Sequence, residues 1–310
     1  YNQKLVKKIR VRGITARGMQ GTAPYLYLEG INVSSSRPPE AKVDIEIKQA
    51  SQLKRSRRSL SKQDNLYDIS GGLEQYRGYV VSEINAINNT LEFTNGAKIQ
   101  IGETVGDESE STLRRIQIRE AIKAHLEIEA EHFKRGIKVL TLFFIDEVAK
   151  YKSYDDAGLE QAGEYAKMFE EEYDSLLKDY QVLETSPYQA FLAKISASNT
   201  HQGYFSIDKK SKRLVNPKIK QGGETAAEAD DPDAYDLILR DKKTLLQYPG
   251  EGDDIDAVRK KQVRFIFSHS ALREGWDNPN IFVICTLKRS DNNVSRRQEI
   301  GRGMRLCRDQ

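Results

Sequence analysis

The stretch VRFIFSHSALREGWDNPNIFVICTLKRSDNNVSRRQEIGRGMRLCR, residues 263–308, indicates the fold of the second half of the chain. Its two short apolar runs, 263–267 and 281–287, are rich in β-branched and aromatic residues and are bounded by polar turns, a pattern typical of strands. Runs that are apolar almost throughout suit parallel strands buried on both faces of an α/β sheet. Because ligands bind beyond the carboxyl ends of such strands, we expect the polar connection at 268–280 to lie at a ligand site.

An arginine-rich helix is predicted after the second of these strands, over QEIGRGMR at 298–305. Arg302 and Arg305 are three residues apart, so on a helix both guanidinium groups leave from one face, and Gln298 lies one turn earlier. Two glycines beside them allow another backbone or a phosphate to approach closely. Planar guanidinium groups bind oxyanions through two parallel hydrogen bonds and suit the charge that develops in phosphoryl transfer.

The order and spacing of two motifs resemble those of superfamily-two helicases. Q-x-x-G-R-x-x-R at 298–305 is similar to helicase motif VI, and SALREGWDNPN at 270–280 is similar to motif V. At a finer level, FIFSHSALREGWDNPN followed by RRQEIGRGMRL resembles the restriction (Res) subunit of type III restriction–modification enzymes. Similar segments extend over most of the chain, including YNQKLVKKI at the start, YRGYVV at 76–81 and KVLTLFFIDEVAKY at 138–151.

This resemblance implies a fold, an activity and partners. The fold is a RecA-like second motor domain with a mostly parallel sheet, carrying motifs IV to VI of an ATP-dependent helicase or translocase. The activity is ATP hydrolysis coupled to movement on duplex DNA before endonucleolytic cleavage, with ATP and Mg²⁺ as cofactors and a modification (Mod) subunit as partner. The Mg²⁺ ligands are expected in a first motor domain, which belongs to the same parent chain together with a nuclease domain. We therefore expect an excised piece that is inactive alone.

The resemblance also assigns roles to individual residues. Arg305 matches the arginine finger expected at the γ-phosphate in the transition state, Arg302 a neighbouring phosphate contact, and Gln298 the residue near the attacking water. Gly275 and Asp277 match the G-x-D of motif V beside the nucleotide. The residues expected to touch the nucleic-acid backbone at the start of the same loop are Ser268, His269 and Ser270. The structural alternatives are salt bridges from the arginines to nearby acids.

Composition bounds the class of protein. A chain of 310 residues suffices for two domains, and 31% charged with 38% hydrophobic residues is a soluble globular balance. The net charge of +3 is too small to indicate a nucleic-acid partner by itself. Cys285 and Cys307 lack metal-ligand spacing, which favours reduced structural thiols and a cytoplasmic protein. No run approaches the ~20 apolar residues of a membrane span, and no signal-peptide pattern occurs.

Residues 1–111 are predicted to form a small β-rich subdomain, a barrel or sandwich, inserted ahead of the motor domain. Short alternating apolar runs are separated by turn residues, and an Asn-Gly pair at 95–96 predicts a hairpin. The strands are expected at 8–11, 25–28, 43–47, 79–84, 90–93 and 98–101.

A basic loop is expected within this subdomain, QLKRSRRSLSK at 52–62. Its cations are Lys54, Arg55, Arg57, Arg58 and Lys62. Such a loop would bind the phosphates of a nucleic acid, and that binding would depend on salt concentration. Alternatively, it would be a solvated hairpin tip, and both interpretations stay open. Tyr76, Arg77 and Tyr79 suit stacking on bases, although half-buried strand aromatics are the commoner case.

Residues 112–310 are predicted to form the α/β domain, in which helices and strands alternate. Helical spacing of apolar residues predicts one helix through Ile118, Ile122 and Leu126 and another through 166–180. A central parallel strand is expected at 137–145 and a further strand at 203–207. A mobile surface insertion is expected near 209–233, followed by a helix that Asp233 begins and by a charged loop at 250–261.

The end of the 137–145 strand imitates a Walker B carboxylate pair. No Gly-Lys dipeptide occurs in the chain, so there is no phosphate loop for a Mg²⁺-binding acid to serve. We therefore expect Asp146 and Glu147 to be cap or surface acids. His201 is expected in a loop, with a nucleic-acid contact as its alternative.

Two other functions stay open at this point. The chain could be a non-catalytic DNA-binding or docking module whose β part grips phosphates. It could also be a motor domain of another superfamily-two DNA helicase.

Overall fold

The computed structural model describes residues 15–17, 24–49, 52–106, 109–180, 186–207, 213–216, 243–269 and 278–288. These residues divide into two compact units, with the division between Leu113 and Arg114. One four-stranded parallel sheet occurs beside antiparallel and mixed sheets, so the fold is mixed α/β. No helix in the described part of the chain is long and apolar enough to cross a membrane.

The first unit is rich in strands but also contains a helical turn. Its strands are β1 (Thr15–Arg17), β2 (Leu26–Asn32), β3 (Glu40–Gln49), β4 (Gln52–Leu60), β5 (Val81–Asn85), β6 (Thr90–Phe93), β7 (Lys98–Gln100) and β8 (Glu103–Val105). Helix α1 (Leu66–Ile69) and a 3-10 turn at Glu74–Tyr76 follow β4. One sheet has the order β1-β8-β2-β3-β4, and β5-β6-β7 form a second, antiparallel sheet. That this unit is an insertion stays a prediction.

The hairpin predicted from the Asn-Gly pair is confirmed between β6 and β7. Gly96 has a φ of +83°, a left-handed conformation that glycine adopts without strain. The Phe93 amide donates to the carbonyl of Ala97 at 2.9 Å and closes the turn.

The prediction of a basic loop at 52–62 is wrong, because residues 52–60 form β4 and pair with β3 along its whole length. The register places Arg57 opposite Asp44 and Arg55 opposite Glu46, so opposite charges face each other across the two strands. Among the described strands, β4 lies at one edge of its sheet.

The second unit is built around the parallel sheet. Its strands are β9 (Leu140–Phe144), β10 (Lys152–Tyr154), β11 (Glu160–Ala162), β12 (His201–Tyr204), β13 (Ser206–Ile207), β14 (Leu214–Val215), β15 (Phe265–Ser268) and β16 (Ile281–Thr286). Its helices are α2 (Glu110–Phe133), which begins just before the division, α3 (Glu164–Tyr180), α4 (Pro187–Leu192) and α5 (Ile255–Gln262). The parallel sheet has the order β12-β15-β9-β16.

Both faces of this sheet are buried, as its apolar strands predict. Phe143 of β9 packs in a cluster with residues of α2 and α3, including Ile122 and Phe169. Its neighbours Leu142 and Phe144 pack in a second cluster on the opposite face. The predicted strands at 137–145, 263–267 and 281–287 are thereby confirmed as β9, β15 and β16. The helix predicted through Ile118, Ile122 and Leu126 is confirmed as α2, and the one predicted through 166–180 is confirmed as α3.

Three elements differ from the sequence prediction. Residues 255–262 of the expected charged loop form α5, because the Asp254 side chain accepts from the Ala257 amide at 2.7 Å and caps the helix, and its last turn is basic. His201 begins β12 rather than lying in a loop. Within the expected insertion, 214–215 form β14, which pairs with β13. Residues 209–212 and 217–233 of that expected insertion lie outside the described residues.

Tyr76 is a core residue and is not available to stack on bases. It is fully buried, its hydroxyl donates to the carbonyl of Tyr25, and the Glu46 amide donates to that hydroxyl at 2.9 Å. Tyr79 is half-buried and packs edge-on against Phe93 at 5.2 Å between ring centroids. The structural interpretation of these aromatic residues is therefore confirmed in part, because both pack within their unit but neither lies in a strand.

Candidate functional site

The carboxyl ends of the parallel strands bring separate parts of the sequence to one edge. In the register of β9 with β15, Phe144 lies opposite Ser268, and the Ile145 amide donates to the Ser268 carbonyl at 2.9 Å. On the other side of β9, the Leu287 amide donates to the Phe144 carbonyl at 2.8 Å. The ammonium group of Lys288 lies 5.6 Å from the Phe144 ring centroid. The polar loop that begins at His269 therefore leaves from the edge where β9 ends.

Asp146 follows β9 at this edge and is engaged by two neighbours. Its carboxylate accepts from Lys150 Nζ at 2.5 Å and from the Tyr165 hydroxyl at 3.2 Å. Partial burial opposes ionisation of this carboxyl, but the hydrogen bond and charge of Lys150 outweigh it and hold the pKa of Asp146 below its ordinary value. Glu147 is exposed and lies 3.5 Å from Lys150 Nζ. These contacts are those expected of surface acids.

The predicted site residues fall partly within the described structure. Ser268 is buried at the end of β15, and His269 is half-buried at the start of the motif V loop. The candidates that lie outside the described residues are Ser270, Gly275, Asp277, Gln298, Arg302 and Arg305. The structure thus brings the start of the motif V loop to the end of β9, and the roles of the arginines stay predictions.

The cations of β4 divide between its two faces. Arg55 donates to the Thr112 hydroxyl at 2.6 Å and lies over the Tyr25 ring at 4.1 Å, and Arg57 approaches the Glu29 carboxylate at 3.7 Å. Lys54 and Arg58 are exposed. The four residues predicted to contact phosphates therefore do not form one surface.

Curated relatives were found among type III restriction enzymes. The EcoP15I Res subunit of Escherichia coli is 37% identical over 233 residues, covering 72% of this chain and 21% of the relative. The EcoPI Res subunit of Escherichia phage P1 is 37% identical over 227 residues, covering 70% and 20%. The StyLTI Res subunit of Salmonella typhimurium is 33% identical over 266 residues, covering 80% and 24%. The chain belongs to the family of type III restriction–modification Res subunits.

This Res-family chain spans 20% to 24% of the length of these relatives. No family model matches it, and no solved structure matches it.

A buried ionic network lies at the opposite, amino end of the sheet, and sequence reasoning missed it. Arg264, the residue before β15, is fully buried and donates to Glu129 Oε2 of α2 at 2.5 Å and to the Tyr173 hydroxyl. The Tyr188 hydroxyl donates to the same Glu129 oxygen at 2.8 Å. His125, one turn before Glu129, lies 3.4 Å from that oxygen through Nε2.

The electrostatics of this network follow from burial and from charge pairing. Burial alone would raise the pKa of Glu129, but the charge of Arg264 and the contacts with His125 and Tyr188 lower it to about 2. Burial lowers the pKa of His125, so this imidazole stays neutral near pH 7. The sequence signals were an arginine inside an apolar run and a His–Glu pair four residues apart on the inner face of a helix.

Lys138 is a second buried cation of the Res-family chain. Its ammonium group donates to the carbonyls of Gln247 at 3.1 Å and Lys261 at 2.6 Å, and thereby ties together the segments that precede β9 and β15. Burial, together with the charge of Arg264, lowers the pKa of Lys138 to about 7.

The Lys138 side chain is expected to make stability depend on pH. The folded chain releases this proton near pH 7 and the unfolded chain near the ordinary lysine pKa of 10.5, so between these values the unfolded state binds more protons and stability rises with pH. The gain is about 2–3 kcal/mol between pH 7 and pH 9. In Lys138→Met, the free energy of unfolding measured with urea should not show this increase between pH 7 and pH 9. The exposed Lys134→Met variant should keep it, and an unchanged gain in Lys138→Met would contradict the assignment.

Proposed function

We propose that this chain is the second RecA-like motor domain of a type III Res subunit, contributing to ATP hydrolysis coupled to movement on duplex DNA before endonucleolytic cleavage. The observation that carries the proposal is the parallel register of β9 with β15, which brings the start of the motif V loop to the carboxyl edge of a buried sheet. Ligands of parallel α/β sheets bind at this edge. The likeness to Res subunits supports the same assignment.

The arginine-rich segment supplies charge to the phosphates in this proposal. Arg305 reaches the γ-phosphate when negative charge spreads over the transferred group, Arg302 holds a neighbouring phosphate oxygen, and Gln298 orients the attacking water. Gly275 and Asp277 lie beside the nucleotide and relay its state to the DNA. The support for these roles is the spacing of the two motifs in the sequence.

The Mg²⁺ that accompanies ATP is assigned to ligands in another domain of the full-length protein. In the described part of the chain, no group of His, Cys, Asp or Glu side chains could hold a metal ion. The Asp146 carboxylate, which follows β9, is engaged by Lys150 and Tyr165. In this proposal the phosphate loop and the metal ligands belong to a first motor domain, across a cleft from the arginines.

Duplex DNA and a modification subunit are the proposed partners. His269 and Ser270 are assigned to the DNA backbone because they begin the loop at the carboxyl edge, whereas the predicted contact of Ser268 is not kept because that residue is buried at the end of β15. Of the cations on β4, Lys54 and Arg58 are exposed to a partner, whereas Arg55 and Arg57 contact groups of their own unit.

Asp277→Asn in the full-length protein should uncouple hydrolysis from DNA. Motif V is proposed to relay the nucleotide state, so the variant should keep DNA-free ATP hydrolysis and lose most of its stimulation by duplex DNA. Coupling free energies between sites are about 1–3 kcal/mol, which corresponds to a loss of about 5–150-fold in stimulation. The measurement is the rate of phosphate release with and without saturating DNA.

The matched control is Asp291→Asn, which removes one negative charge outside motifs V and VI. This variant should be stimulated by DNA as well as the wild type is. Full stimulation of Asp277→Asn would remove motif V from the coupling and would favour a docking module over a motor domain.

A further inference from the structure

A row of exposed cations follows one side of β4. Lys54 and Arg58 on β4 and Lys62 just beyond it are all exposed, and they are spaced four residues apart. Because strand residues alternate between faces, Lys54 and Arg58 leave from the same face, and Arg55 and Arg57 leave from the other. We call Lys54, Arg58 and Lys62 the basic row.

The basic row lacks the acidic partners that other cations of the unit have. Arg77 is bound by Glu74 at 2.7 Å, and Lys98 is bound by Glu92 at 2.5 Å. Among the described residues, no carboxylate forms an ion pair with any of the three cations of the basic row. The register explains this for the two strand residues, because the apolar residues Ile47 and Val43 of β3 lie opposite Lys54 and Arg58. Within the described residues, the three positive charges of the basic row are therefore not neutralised by ion pairs.

Hydrogen-bond donors surround these cations. Ser61 is exposed next to Lys62, and β4 forms the edge of its sheet among the described strands. The Arg58 guanidinium donates to the Ser56 hydroxyl and to the Arg57 carbonyl at 2.9 Å, which orients it in advance. Lysine, arginine and serine side chains with backbone N–H groups are the donors that proteins use for phosphate oxygens.

Apolar anchors for a protein partner are scarce on this strand. Leu53 is the one large hydrophobic residue of β4 that is exposed, at 60%. Protein interfaces obtain most of their affinity from buried aromatic and apolar side chains, with arginine, in desolvated pockets. The chemistry of β4 therefore fits a polyanion better than a protein surface.

We propose that the basic row binds the phosphate backbone of duplex DNA without reading its sequence, and that Arg55 and Arg57 hold the strand in place from its other face. The inference rests on the proposed function in taking DNA as the partner. At about 3.4 Å per residue, Lys54 and Arg58 are about 14 Å apart, so each cation contacts a different phosphate. The row therefore adds up to three phosphate contacts to those of the motor domain.

Salt dependence of DNA binding tests this proposal in the full-length protein. Each phosphate contact contributes about 0.9 to the slope of log K against log salt concentration, so Lys54→Gln, Arg58→Gln and Lys62→Gln combined should reduce the slope by about 2.7. The measurement is fluorescence anisotropy of a short random-sequence duplex over a series of NaCl concentrations, without nucleotide. Each single variant should reduce the slope by about 0.9.

The matched control is the combination of Arg77→Gln and Lys98→Gln, which removes two exposed cations of the same unit that already have acidic partners. The slope of this control should equal the wild-type slope within experimental error. An unchanged slope in the triple variant would overturn the proposal, as would an equal loss in the control. If the triple variant bound DNA as the wild type does but no longer co-purified with a protein subunit, the basic row would instead be a contact with that protein. Because the slope is measured without nucleotide, a failure of the motor assignment in the Asp277→Asn assay leaves this result unaffected.

Discussion

Arg305→Ala should lower DNA-stimulated ATP hydrolysis of the full-length protein by at least about 10³-fold, with nucleotide binding largely kept. An arginine finger acts on charge that is present in the transition state and weaker in bound ATP, so its loss lowers turnover more than affinity. Arg305→Lys should also be severely impaired, since an ammonium group cannot provide the planar pair of donors. Steady-state phosphate release and binding of a fluorescent nucleotide measure the two quantities separately.

Arg296→Ala is the matched control for the finger. Arg296 precedes the predicted helix at 298–305, so this variant removes a positive charge from the same segment and leaves motif VI intact. Arg296→Ala should turn over ATP at close to the wild-type rate. Unchanged turnover in Arg305→Ala would make the arginine segment structural and would support a non-catalytic module.

The parts of the fold that the sequence predicted are those in which apolar residues form a continuous run or recur at helical spacing. β9 and β15 are apolar on both faces, and α2 repeats buried residues at Ile118, Ile122 and Leu126, so burial and element type are encoded in the same pattern. The carboxyl edge follows from these strands, because parallel strands end on one side of a sheet. The motif V loop could therefore be assigned to that edge without a structure.

The misassigned parts are those whose structure depends on distant partners. The sequence of β4 is almost entirely polar, and it forms a strand because β3 supplies both the backbone ladder and the acids Asp44 and Glu46 opposite its arginines. Helix α5 buries none of its residues, so its sequence has no apolar periodicity that would predict a helix. The sequence feature that indicates this helix is the N-cap residue Asp254. Periodicity within a segment does not contain this information.

The buried ionic network was missed for a related reason. A charged residue in an apolar run indicates a partner but does not identify it, and the partner of Arg264 lies 135 residues away in the sequence. Glu129 on α2 meets it only because α2 packs across the sheet. The network therefore links α2, α3 and β15 by groups that cannot be left unpaired.

Glu129→Gln should destabilise this unit by about 3–5 kcal/mol, because it leaves the Arg264 guanidinium buried without a counter-charge. The neutral amide can still accept hydrogen bonds from Arg264 and Tyr188. A large decrease in the free energy of unfolding would therefore come from the loss of the negative charge and not from the loss of hydrogen bonds. The free energy of unfolding, from urea denaturation followed by circular dichroism, measures it. Glu131→Gln removes an exposed carboxylate of the same helix and should change stability by less than about 0.5 kcal/mol.

Acid sensitivity and a double variant test the same pairing independently. The folded pKa of Glu129, about 2, lies below the ordinary glutamate pKa of 4.5, so its stabilising contribution is complete above pH 4.5 and is lost as the pH falls toward 2. Glu129→Gln should therefore lose part of the acid dependence of the wild type. Adding Arg264→Met removes the stranded cation, so the double variant should be more stable than Glu129→Gln alone. If the double variant were the less stable of the two, Arg264 would be held mainly by Tyr173 and by its packing against Phe191, and the network would act through shape rather than through charge.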